Sequence, residues 1–428
     1  MRGARVFRLR LPAALAAAVL AAAAAGCAAV GGSGGTADSG LSGPSGPPIT
    51  IGISLPLTGD FAADGVATER GYQLWASDVN SHGGLLGRPV TLVIRNDKSD
   101  PGATARDYQT LIGTDHVDFT LAPFSSLLTA AAEPVVASHG YAFPAGSAGA
   151  PNVYSHKSRT LFSTTLPVKT QLVPFVRWVT SLPAGSRPTS AAYPMVDDPF
   201  ADPPVQTAQR LLQAAGIRTA YMPAKPYHAT SAAALAADAR QVANSNAQLV
   251  VLGSVDVPTV AAFIQEFARQ HYNPKIFLAT SGPDQGQAFL NSVGTGTADG
   301  VLVPNGWYGA FPAALSHVMV QDYIAKYGGT AAAINADVAE AYSAGEVLAA
   351  GVSGAGTLRN SSVISWLHSH EVDTVVGTAK FNSTGVNLNA LESAHIFQWQ
   401  PGAQFVQVLP SSAVGSVPII TAKPQWSG

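Results

Sequence analysis

From Ile49 onward, short apolar runs alternate with longer stretches whose apolar residues recur at helical spacing. No other feature constrains the fold as much. Ile49-Thr50-Ile51-Gly52-Ile53-Ser54-Leu55 reads as a buried strand stopped by Pro56. The pattern then predicts a helix over 65–80, a strand over 89–96, a helix over 101–112, a strand over 117–121, a helix over 127–137 and a strand over 141–144. The cycle resumes with strands over 189–194, 218–222, 249–253 and 276–279, separated by helices over 204–215, 231–244 and 259–271. A late block adds a strand from Val301, helices over 314–327, 337–351 and 362–368, and a hairpin across Pro401-Gly402. Such alternation makes parallel sheets covered by helices on both faces. Two blocks with a tail returning to both predict an α/β chain of two doubly wound, parallel-sheet lobes. Ligands bind outside the carboxyl ends of such strands, so two facing lobes would bring their loops into one cleft.

The first 48 residues are of another kind. Arg2, Arg5, Arg8 and Arg10 precede an apolar run from Leu11 to Ala25, too short for a comfortable membrane span of about 20 residues. Small residues and then Cys27, the only cysteine among 428 residues, follow. A basic start, a short apolar run and small residues before a cut describe a secretory signal over 1–26. The junction resembles the bacterial lipobox, with Ala24 where Leu is commonest, which implies lipidation of Cys27. The plain alternative is an ordinary signal peptide with an incidental cysteine. Residues 27–48 are rich in Gly, Ser and Pro and read as a flexible tether.

Without the four leader arginines, 20 basic residues face 26 acidic ones, and no basic run exists. Nucleic acid is therefore not an expected partner, because neutralising phosphates takes clustered cations. A lone cysteine excludes an internal disulfide and a thiolate zinc site. There is no Gly-x-Ser-x-Gly elbow, Walker loop or His-Glu-x-x-His, so no enzyme, cofactor or metal is expected.

Four segments resemble the type I periplasmic binding proteins, in the branch that binds leucine, isoleucine, valine and related solutes. They are Ile51 to Gly59; Asp78-Val79-Asn80-Ser81-His82-Gly83-Gly84-Leu85-Leu86-Gly87-Arg88-Pro89-Val90; Phe124-Ser125-Ser126; and Val372 to Gly377 running on through Phe381-Asn382-Ser383-Thr384-Gly385. The resemblance implies two lobes joined by a three-crossing hinge: residues 49–165 with 304–378, and 166–303 with 379–428. It implies a monomeric solute-binding lipoprotein. The protein would be held to the outer face of the cell membrane and would deliver a small-molecule solute (an amino acid, amide or related compound) to an ABC transporter permease. An extracytoplasmic sensor of the same fold is the alternative.

The resemblance also implies site residues. Ser125 and Ser126 would hold the ligand's polar head beside free N–H groups at a helix start, or serve as an N-cap. Ala145, Gly146 and Ser147 would supply a carbonyl and a hydroxyl, or form a plain turn. Phe61 would cover the ligand or pack between lobes. From the second lobe, Phe200 would close over the ligand. Asp197 and Asp198 beside it could instead be turn residues. Ser254, Ser281 and Asp284 follow strands. Asp284 comes only after Pro283, out of simple register with the acid that amino-acid binders place there. Trp307 would be a hinge-side wall.

Overall fold

The computed structural model describes residues 44–227, 231–390, 395–421 and 423–426. The signal over 1–26, Cys27 and the tether up to residue 43 lie outside the described residues. The tether's last residues are pinned: Ser45 N donates to Gly87 O at 2.8 Å and Arg88 Nε to Pro47 O at 2.8 Å.

Two separate sheets form. In the first half, β1 (Ile49–Leu55) lies between β2 (Val90–Asn96) and β3 (Phe119–Thr120), all parallel. β4 (Phe143–Ala145) and β5 (Leu161–Ser163) extend this layer, joined to it where Ala122 N donates to Pro144 O at 3.0 Å. In the second half, β6 (Ser190–Ala192), β7 (Arg218–Tyr221), β8 (Leu249–Leu252), β9 (Ile276–Ala279) and β10 (Leu302–Asn305) are parallel. A hairpin, β11 (Glu371–Thr374) with β12 (Gly377–Lys380), belongs to neither sheet. The closing hairpin of β13 (His395–Gln400) and β14 (Gln404–Leu409) adds antiparallel to β10, giving the order β14-β13-β10-β9-β8-β6-β7.

The first half is held by two long helices that are far apart in sequence, Ala62–Ser81 and Ala336–Ala355. Glycines let them touch: a Cβ at Gly71 would overlap Val338 O, and one at Gly345 would overlap the buried indole of Trp75. The second half buries Phe263, Phe267 and Phe277 between its sheet and the helix Val257–Arg269.

The chain passes between halves three times. Val168 packs in the first half's core and Leu172 in the second's. β10 runs to Asn305, and Trp307 then packs with Leu74 of the first half. The third expected boundary, Thr378, falls too early. It lies in β12, whose Ala379, with Phe381 just beyond, packs with Tyr72 and Trp75, and Ser163 N still donates to Gly385 O at 3.0 Å. Only at β13 has the chain joined the second sheet. The three-residue β5 and the helix Val173–Ser181 were not expected; runs that short carry too little periodicity to stand out.

Candidate functional site

Between the halves, at the carboxyl ends of both sheets' strands, lies a cavity of about 70 Å³. That is room for a molecule of a few heavy atoms, or for the head of a larger one.

Its first-half wall begins at Ser125, which precedes the helix Ser126–Ser138 with φ 135° and ψ 176°. That backbone region is almost reserved for glycine and costs a serine roughly 1–3 kcal/mol; such outliers gather at ligand sites. Ser125 Oγ is buried and has no partner, and no side chain caps the helix. An uncapped helix start offers N–H groups to an anion. Ser126 Oγ is engaged as acceptor from Ala150 N at 3.1 Å. Ser147 Oγ donates to Glu340 Oε2 at 3.0 Å.

On the second-half wall, Phe200 is half-buried, its N–H held by Asp198 Oδ1 at 2.7 Å. Ser281 and Asp284 also line the cavity. Asp284 reaches it because Gly282, at φ 105°, turns the loop back, where a Cβ would meet Asp256 O. Asp284 Oδ1 accepts from Gly282 N at 2.8 Å and Ser281 Oγ at 3.3 Å. Trp399 of β13 donates to Pro283 O at 2.8 Å, so the returning hairpin fixes this loop.

Five expected contacts sit elsewhere. Phe61 is buried, edge-to-face on Phe124 at 5.8 Å, in a core cluster with second-half residues; it packs between the halves. Ala145 O is taken by Thr164 N at 2.9 Å, and Gly146 O by Thr165 Oγ1. Ser254 is wholly buried behind the wall, donating to Ser281 O at 2.7 Å. Trp307 donates to Ser316 Oγ at 2.9 Å and lines a neighbouring chamber instead.

The residues that sequence reasoning missed are the most charged. Asp337 and Glu340, from the first turns of the helix Ala336–Ala355, line the cavity, as do Thr165, Gln171 and Asn305. Two acids three apart in the first turns of a helix rich in Ala and Val were the available signal. Asp64 lies behind them. Gln285 Nε2, from the second half, donates to Asp64 Oδ1 and to Asp337 Oδ2 (3.2 Å), while Asn335 Nδ2 donates to Gln285 Oε1 at 2.6 Å. This is a hydrogen-bonded clasp across the halves.

Burial dominates the electrostatics. It pushes the Asp284 carboxyl up to about 6. Burial and the nearby Asp284 push Asp337 to about 7. Burial, then Asp337, hold Glu340 and Asp64 well above the usual carboxylate range. No Lys, Arg or His lines the cavity. Among the described residues, no three His, Cys, Asp or Glu side chains are disposed to hold a metal.

The family described as periplasmic binding protein matches residues 48–404. The chain belongs to the periplasmic binding protein family. Its members are solute binders, and this chain is a binding protein, not an enzyme. A Leu/Ile/Val-binding protein of Rhizobium johnstonii is 31% identical over 105 residues, which are 24% of this binding protein and only 28% of that one. Among solved structures, a leucine binding protein of Thermotoga maritima superposes with a TM-score of 0.72 at 15% identity, covering 85% of this chain and all of that one. A solute binding protein of an ABC transporter from R. palustris, in complex with benzoate, gives 0.70 at 15% identity over 88% of this chain and 100% of its own. At those identities the likeness establishes the type I binding-protein fold, with two lobes of parallel-dominated sheet. Among the described residues, no helix is long and apolar enough to cross a membrane.

Proposed function

We propose that this binding protein is the extracytoplasmic component of an ABC importer, a monomer anchored at Cys27 and passing a small amino-acid-like solute to a permease. One observation carries this reading: the cavity between the lobes sets an uncapped helix start with an unpartnered serine against buried acids. A carboxylate suits the first, through N–H donors and the helix dipole. An ammonium suits the second, because buried carboxyls without a cationic partner favour a ligand that brings one. Ser125, Ser126, Ser147, Phe200, Ser281 and Asp284 are the contacts we assign, together with Asp337, Glu340 and Thr165. Contacts to both walls would then favour the closed arrangement.

The test is a thermal-shift and calorimetric screen of the purified mature protein against amino acids, amides and aromatic acids. At a hundredfold excess over Kd, a true solute adds about 2.7 kcal/mol by linkage. A flat response to the whole panel overturns the reading. Retention of the Cys27→Ala protein in the membrane fraction overturns the anchor.

A further inference from the structure

A neutral amino acid does not balance this cleft. Its carboxylate would go to the helix start at Ser125, and its single ammonium would meet one acid. Asp284, Asp337 and Glu340 all line the cavity, and among the described residues none of them forms an ion pair. They come from both halves: Asp284 from the loop after β9, the other two from the helix Ala336–Ala355.

Shape gives a second, independent reason. A chamber of about 290 Å³ with mixed walls adjoins the cavity, and the two share Glu340, Thr165, Leu166 and Gly306. Thr164, Thr378, Asn387 and Asn389 line it together with Phe311 and Val376, with no cationic residue among its walls. Glu340 sits at the junction, where Gly306 leaves it uncovered: a Cβ there would still be 3.9 Å from Oε1. Ser147 holds only the other oxygen, Oε2. Two further polar groups on the main cavity's wall, Ser125 Oγ and Gln171 Nε2, are buried without partners and await a ligand.

We infer that the solute is a basic amino acid or a close analogue, with its amino-acid head between Ser125 and Asp284 and a distal cationic group on Glu340 at the mouth of the neighbouring chamber. This rests on the solute-binding reading above. The distal group is amine- or guanidinium-like, because Glu340 is the charged side chain at the junction and no cationic residue lines either space.

Proton linkage follows from the same groups. Glu340 faces Asp337 and Asp284, and Asp337 faces Asp64 in turn. Burial and mutual repulsion keep part of this set protonated in the free protein. A cation binds the ionised form, so binding releases protons and tightens as pH rises. If the acids instead stay protonated and donate to an anionic solute such as benzoate, binding weakens as pH rises.

The deciding pair is arginine against citrulline, nearly the same shape with and without the distal charge. Isothermal titration of the mature protein should show arginine at least ~30-fold tighter at pH 7.5, with proton release detectable as a buffer-dependent enthalpy. The preference should shrink at pH 5.5, and Glu340→Gln should bring the ratio towards one. The wild-type ratio and its pH dependence need no variant, so a poorly folding Glu340→Gln leaves the test intact. Citrulline bound as tightly as arginine overturns the inference while leaving the solute-binding reading standing. So does benzoate binding that weakens with rising pH while arginine fails to bind. No binding by arginine, lysine, citrulline, leucine or benzoate overturns the reading beneath it.

Discussion

The two walls of the cleft are assembled differently. The second-half wall is drawn from strand ends in regular order: Phe200 after β6, Val255 after β8, Ser281 and Asp284 after β9. The first-half wall collects Ser125, Ser147, Thr165, Asp337 and Glu340 from segments more than two hundred residues apart. Two of its polar groups already bond one another, Ser147 to Glu340, and the buried pair Thr164 Oγ1 and Ser343 Oγ, 2.7 Å apart, ties the adjoining segment to the same helix. One wall is therefore a prebuilt polar surface set by helix packing. The other brings an aromatic ring and one acid. Under the proposed function, the contrast gives head-group recognition mainly to the first half, and to the second the closing cover and a charge.

The largest way to break this contrast is at the helix pair. Gly345→Val would drive a side chain into Trp75, and it should cost about 3 kcal/mol or more of stability. Chemical denaturation measures this. A loss under about 0.5 kcal/mol would mean the first wall is not fixed by that contact. At Asp284, replacement by Ala should weaken solute binding by roughly 2–3 kcal/mol while the melting temperature moves far less; unchanged affinity would remove the second wall's charge from recognition. Phe200→Ala should cost about 1.5 kcal/mol of affinity, through lost cover. A still larger loss there than at Asp284 would reverse the ranking.

Ser125→Gly sharpens the comparison further. Glycine accepts φ 135° freely, so the ligand-free protein should gain about 1 kcal/mol while solute binding weakens about fivefold. A drop in both would show that the serine is structural. The smallest effect is on pH. Asp284 at about 6 and Asp337 at about 7 bind protons more tightly folded than unfolded, where a carboxyl titrates near ~4. Their contribution is therefore fullest below about pH 4 and is lost as pH rises towards 7. Between pH 5 and 7.5 the ligand-free melting temperature should fall by a few degrees, and Asp337→Asn should flatten that slope. A rise instead would mean that these carboxyls are not the groups that titrate.

Several of these groups were legible before any coordinates. Periodicity reveals the strands that Ser125, Ser126, Ser147, Phe200, Ser281 and Asp284 follow, the family resemblance implied them as contacts, and all line the cavity. Ala145, Gly146 and Ser254 stand beside them in sequence yet are used internally: the two carbonyls by Thr164 N and Thr165 Oγ1, the hydroxyl by Ser281 O. Asp284 looked out of register because the turn at Gly282 has no signature in hydrophobic spacing. Asp337 and Glu340 were hidden by position: nothing in a helix near residue 340 says which earlier loops it will lie against.

The amino-acid order alone determined the alternation of strands and helices, hence parallel sheets, two blocks and a binding edge at the strands' carboxyl ends. Local periodicity suffices for that, since each element must bury one face. Which loops share the cleft, where the third crossing falls, and that several acids meet there without a base were decided only in three dimensions. Those depend on long-range packing, glycine against tryptophan and helix against helix, and contacts of that kind leave no local pattern to read.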